Sequence, residues 1–273
     1  MFKTIKHRFQ VMRAVAFVTF KEWSAYRSHS MVSIFVGPVY FLVQYYIWTS
    51  VYSGEPSING MSLPQMLTYF CATLLVNYLT MDFADWNLQM LIRTGKFITF
   101  SLRPVNHMFF ALSQKVGHRV LGLLFECIPC FLIFYLVFDI NVLPANAFYA
   151  VLSIAMAFLM NFFINYSIGM TAFWMVQSSS IRNIFNLCAQ VFSGAAIPLV
   201  FFPRPLQVAS FFLPFQYTAF VPAMVYTGSY TLADITLTIP QVLLLQLLAV
   251  IVAGAVCRLL YAVSLKHFTG VGA

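Results

Sequence analysis

A chain of 273 residues in which 61% are hydrophobic and only 8% charged has too few polar side chains to cover a water-soluble globule, so its solvent is largely lipid. The net charge of +8 brings nucleic acid to mind, but the cations cluster between apolar segments, which assigns them to topology and anionic lipid instead. Five cysteines lie in or beside apolar stretches; Cys127 and Cys130 form a C-x-x-C, yet Pro129 intervenes and no His or further Cys is near, so they read as small hydrophobes.

Met1 to Arg27 is studded with charges and lacks a small-residue cleavage site, so no cleavable signal peptide is expected. Ile5, Phe9, Met12, Ala16, Phe20 and Trp23 recur at spacings of three and four, with Lys6, Gln10, Arg13 and Lys21 on another face. That pattern predicts an amphipathic interfacial helix within residues 1–30, a plain basic topology signal being the alternative. Uncharged Met31–Ser50 is the first span, Leu63–Met81 the second, and residues 82–117 form a long loop on the same side as the N-terminus.

Val120–Phe138 is the third span and contains Glu126; Ala147–Val176 is the fourth, long enough to tilt; Ile184–Val200 is the fifth, after a turn at Gln177–Asn183. Residues 201–228 are uncharged from Ala209 onward but broken by Pro214 and Pro222, which predicts a re-entrant or interfacial helical hairpin. Pro240–Leu260 is the last span, within 239–262, and 263–273 is a tail. The expected fold is one all-α polytopic membrane domain over residues 1–273 with six transmembrane helices. Both termini are expected to be cytoplasmic, because this arrangement leaves Arg204 as the lone Lys or Arg outside.

No phosphate-cradling loop is present: the one Gly-Lys pair, Gly95-Lys96, is followed by Phe97 and has Met90 where the first glycine belongs. No nucleophile–base pair or metal-ligand cluster appears at helical spacing in the spans, so no catalytic, cofactor-binding or metal residue is expected in this chain. Glu126 is the sole acid well inside a span, which leaves an ion-coupled carrier open beside a carboxylate that faces a neighbouring helix or a watery cavity. In the long loop, Ile92-Arg93-Thr94-Gly95-Lys96-Phe97 and Leu102-Arg103-Pro104-Val105-Asn106 alternate basic and apolar residues, as suits a short helix docking on a partner protein or a solvated loop.

The order of parts (interfacial helix, two spans, long cytoplasmic loop, three spans, extracellular hairpin, last span) resembles the permease of an ABC exporter of the type 2 class. The two loop motifs, with Ile197-Pro198-Leu199, Phe202-Pro203, Leu213-Pro214-Phe215, Pro222 and Tyr226-Thr227-Gly228, are similar to a bacterial subfamily whose members often work beside a second permease. The resemblance implies a multi-pass subunit of the bacterial cytoplasmic membrane, paired with a second copy or a related permease. ATP and magnesium would be held by separate ABC ATPase subunits, not by this chain. It further implies ATPase coupling through Asp85, Trp86, Arg93, Lys96 and Arg103. The pathway or outer gate would involve Glu126, Phe201, Phe202, Phe211, Phe212, Phe215 and Tyr217, for an amphiphilic, lipid-like, drug or peptide substrate. The rivals are a secondary carrier using Glu126, which would show matching broken spans in both halves, and a membrane scaffold or lipid-modifying protein.

Overall fold

The computed structural model describes residues 2–25, 27–138, 140, 142–175 and 179–266. They form helices α1 (Phe2–Ser24), α2 (Arg27–Val51), α3 (Leu63–Thr80), α4 (Ala84–Arg93), α5 (Lys96–Ser101), α6 (His107–Gly122), α7 (Ile128–Phe138), α8 (Ala147–Met170), α9 (Ser179–Phe192), α10 (Arg204–Phe212), α11 (Phe220–Thr227) and α12 (Ile239–Lys266). A two-residue antiparallel ladder, β1 (Thr231–Leu232) with β2 (Ile235–Thr236), pairs Thr231 with Thr236 and Leu232 with Ile235.

Among the described residues, four stretches are long and apolar enough to cross a membrane: Ile34–Val51, His107–Phe138, Ala147–Phe173 and Ile239–Lys266. The expected second span falls on α3, whose Asn77, Gln65 and threonines dilute its hydropathy while Met66, Tyr69, Phe70, Cys71 and Ala72 are completely buried. It is the inner helix of the bundle, against α2, α8 and α11, so protein rather than lipid satisfies its polar groups. The expected fifth span, Ile184–Val200, is displaced. Its helix α9 starts at Ser179 and stops at Phe192, just before Gly194 turns the chain at φ +76°. At 14 residues α9 is about 21 Å long, shorter than a hydrocarbon core of about 30 Å. Arg182 and Asn183 lie inside this helix rather than in the expected turn, of which residues 177–178 fall outside those described.

The third span also differs. Its helix begins at His107, where the Asn106 side chain accepts from Met108 N at 2.9 Å, not at Val120. Lys115 and Arg119 are therefore turns of a buried helix, tolerated because each finds a partner there. Leu123–Cys127 forms a single π-turn joining α6 to α7, just upstream of Pro129, whose ring removes a backbone donor. The expected tail at 263–273 is helical through Lys266, and residues 267–273 lie outside those described.

Breakers make the segment before α12 fold back on itself. Pro203 opens α10, Leu213-Pro214 ends it in a 3₁₀ turn (Pro214–Thr218), and α11 follows, with every residue from Phe220 to Tyr226 buried between α3 and α8. The turn is fastened by Gln246 of α12, whose amide donates to Tyr217 O at 3.2 Å and Ser153 O at 3.1 Å while its oxygen accepts from Ser153 Oγ at 2.7 Å. Gln246 and Ser153 stand about two helical turns in from the starts of α12 and α8, so the turn dips about 10 Å along the bundle. At the other end of α11, Tyr226 O accepts from Ala145 N and its hydroxyl donates to Val142 O.

Two apolar cores result. The larger joins α2, α3, α7, α8, α11 and α12 around Phe41, Phe70, Phe134 and Phe220. The smaller lies at the α4–α5 end, where Leu88, Ile92 and Phe97 meet Phe162, Tyr166 and Cys257.

Candidate functional site

The loop expected at 82–117 is a helical hairpin with two faces. Along α4, Ala84, Asp85, Leu88, Gln89 and Ile92 turn inward, the three- and four-residue spacing of an amphipathic helix. Thr94-Gly95 reverses the chain, with Gly95 at φ +70° and Thr94 Oγ1 donating to Met90 O at 2.7 Å. Helix α5 is held by Phe97, whose ring lies 5.1 Å from Phe173, and by Phe100, 4.6 Å from His107. His107 in turn bonds Tyr166 at 2.9 Å. Outward remain Trp86 and Met90, four apart on α4, Ile98 on α5 and Leu102 just past its end, and the cations Arg93, Lys96 and Arg103. Leu102 is 83% exposed and Arg103 lies 5.3 Å over the Phe100 ring. The residues of this basic and apolar surface lie outside the stretches long and apolar enough to span.

Asp85 does not share that surface, although the sequence groups it with Trp86. Its carboxylate is 2% exposed and meets Arg182 of α9 at 2.7 Å. Burial raises the carboxyl above its ordinary value and the Arg182 charge offsets part of that rise. Gly169 of α8 fits against it closely: a Cβ there would stand 3.0 Å from Asp85 Cα. Beside it, Asp82 accepts from Ala84 N at 2.9 Å and pairs with Lys115 of α6 at 3.0 Å, and Lys115 also donates to Phe158 O of α8 at 2.8 Å. The exposed hairpin is thus tied to α6, α8 and α9 through buried ionic contacts. Such contacts fix geometry more than they add stability.

Glu126 is not the lone intramembrane charge that the sequence suggests. It lies 4.0 Å from Arg119, about two helical turns earlier, and Arg119 also donates to Tyr78 O at 2.6 Å.

Two cavities flank α9. A polar one of about 370 Å³ is lined by Thr73 and Asn77 of α3, Asn161 of α8 and Asn186 and Gln190 of α9, with Tyr40 of α2 at its edge. An apolar one of about 590 Å³ lies between α8, α12 and the α10 turn, lined by Phe211, Phe212, Tyr217, Phe163 and Phe185. Glu126 lines neither. The six hairpin aromatics do not form one cluster. Phe211, Phe212 and Tyr217 border the apolar cavity; Phe215 is buried 4.8 Å from Phe185 and 6.4 Å from Phe192, bracing α9; Phe201 packs 5.1 Å from Trp48, and Phe202 is half-buried nearby.

Sequence reasoning missed Asp82, Lys115, Arg119 and Arg182 as internal partners, and the amides around the polar cavity. Their signal was present: Asn77, Asn161 and Gln190 interrupt otherwise apolar helices, where polar groups cost energy unless bonded or wet.

A family model described as ABC-2 family transporter protein matches residues 39–272, which include α3 to α12 and most of α2 but not α1. No curated protein and no solved structure matches. With the spans, the amphipathic hairpin at one end and the match over most of its length, the chain belongs to the ABC-2 transporter family, as a multi-pass membrane permease component of ABC transport.

Proposed function

We propose that this chain is the membrane subunit of an ATP-driven exporter, in which two copies, or one copy and a related permease, enclose the pathway and separate ATPase subunits dock on α4 and α5. Permeases of the family work with ATPase partners, and the observation that carries the docking assignment is the exposed set Trp86, Met90, Arg93, Lys96, Ile98, Leu102 and Arg103 on a hairpin anchored from within. Trp86 supplies buried contact area at such an interface and the cations supply orientation. Asp85 takes a different role from the exposed residues: it transmits rather than contacts. A push on α4 reaches α9 through Asp85–Arg182 and α8 through Gly169, and α9 forms one wall of the polar cavity.

In this reading α3 and α9 count as spans, giving six, with both termini cytoplasmic, as the concentration of Lys and Arg on the α4–α5 side supports. Helix α9 leaves Asn183, Asn186 and Gln190 exposed on one side and Ile184 and Leu187 on another. A neighbouring permease over the polar side would enclose the cavity, while lipid covers the apolar side. The hairpin α10–α11 dips from the outer surface as a re-entrant plug, and Phe211, Phe212 and Tyr217 offer an apolar wall to an amphiphilic substrate.

The test is the combined variant Arg93→Glu, Lys96→Glu, Arg103→Glu against a control with Lys6→Glu and Arg8→Glu. Exposed pairs contribute about 0–1 kcal/mol each, so three reversals are needed for a clear effect. The hairpin variant loses copurifying ATPase subunit or substrate-stimulated hydrolysis while still inserting; full assembly and transport would make the docking assignment wrong.

A further inference from the structure

We propose that the groove between α1 and α6 binds an anionic phospholipid, an acyl chain lying along the groove and the headgroup phosphate held by Arg13 and Lys21. This rests on the membrane location of the chain and not on the exporter reading.

The two helices touch where Gly117 of α6 has no side chain: a Cβ there would come within 2.8 Å of Ala16 Cα. Larger side chains on either side splay around this contact and leave a groove of about 480 Å³, within the range of small-ligand sites. Phe9, Phe17 and Phe20 of α1 and Val116 and Val120 of α6 line it, and among the described residues Arg13 is its one charged lining residue. Phe9 and Phe17 are 61% and 56% exposed, an apolar surface without a protein cover among the described residues. Lys21 carries its ammonium 4.7 Å from the Phe17 ring centroid, so two cations frame the groove two helical turns apart. Glu22, the acid of α1, belongs to another face and lines a small pocket with Asp82 and Lys115. Cations beside an apolar groove on a membrane helix match a lipid that joins a phosphate without a countercharge to an acyl chain; a zwitterionic lipid would bring its own ammonium against Arg13.

The experiment is native mass spectrometry of the full chain, delipidated in neutral detergent and incubated with dioleoyl phosphatidylglycerol or dioleoyl phosphatidylcholine. Phosphatidylglycerol is retained in preference to phosphatidylcholine. Arg13→Gln with Lys21→Gln lowers its affinity by about 25-fold, two surface cations at about fivefold each. Lys6→Gln with Arg8→Gln, the same charge change away from the groove, leaves the preference in place, and Val120→Trp, which fills the groove and spares both cations, weakens binding of the lipid. Equal retention of the two lipids, equal effects of the two charge pairs, unchanged binding by Val120→Trp, or a retained polypeptide mass in place of lipid would each overturn the proposal.

Discussion

The Asp85–Arg182 contact predicts an asymmetry between its two halves. Replacing Arg182 with Gln strands a carboxylate that is 2% exposed, while Arg182 itself is 31% exposed and can turn to water if its partner is lost. Breaking a buried pair from one side costs about 3–5 kcal/mol; because Arg182 is partly wet, the lower end applies, about 3 kcal/mol for Arg182→Gln. Asp85→Asn leaves a cation with a path to solvent and should cost about 1 kcal/mol, as for an accessible pair. The pH dependence follows from the raised Asp85 carboxyl. Without Arg182 its folded-state pKa climbs further above the unfolded value, the folded state binds the proton first, and the variant regains stability as pH falls toward that pKa. Denaturant titrations in mild detergent, at neutral and mildly acidic pH, measure both effects. Equal losses from the two substitutions, or an Arg182→Gln defect that ignores pH, would refute a buried carboxylate held by α9.

Three further outcomes are expected. Gln246→Leu strands Ser153 and the Tyr217 carbonyl and should cost about 1–3 kcal/mol for each unpaired group; an unchanged denaturation midpoint would show that the α8–α12 junction does not hold the hairpin. Single cysteines at Ser57 and Ser229, in a background without native cysteines, should react with an impermeant thiol reagent from outside, and one at Ser101 only after permeabilisation; the reverse pattern sinks the proposed orientation. Glu126→Gln leaves Arg119 its bond to Tyr78 O, so the variant should insert and retain ATP-dependent transport, whereas transport driven by a pH gradient and lost in this variant would favour a carrier.

What the sequence made legible was periodicity and breakage. The three- and four-residue spacing of Phe9, Met12, Ala16 and Phe20 locates α1, and Pro214 and Pro222 locate the backbone that leaves the spans to form α10 and α11. What it hid was pairing across the bundle. Lys115 and Arg119 look like signs of water in the sequence, which places the start of the third span after them; with Asp82, Glu126 and Tyr78 O as partners they are interior residues, and the helix starts at His107. Asp85 and Trp86 are adjacent in the chain, which suggests one role for both, but neighbours on a helix point about 100° apart, and one is buried while the other is exposed. The end of α9 depends on Gly194, held where Tyr69 donates to its carbonyl at 2.6 Å, a contact between residues far apart in sequence.

The π-turn at Leu123–Cys127 makes chain length, as well as side-chain identity, a determinant of this fold. Before it, the inward line on α6 runs through Lys115, Arg119 and Gly122; after it, the line resumes at Cys127, Cys130 and Phe134. An unbroken α-helix would have reached position 126 first, directing a carboxylate where Cys127 now packs. Deleting one residue of the turn would let an unbroken α-helix carry Cys127, Cys130 and Phe134 on the same inward line, whereas deleting one from the α-helical part of α6 or α7 would rotate everything beyond it by about 100°. The turn is therefore the one place in this long helix where a residue can be lost without turning the faces against each other, so homologous chains that share the two faces should either keep both the turn and the spacing between Arg119 and Phe134, or lack the turn and be one residue shorter there.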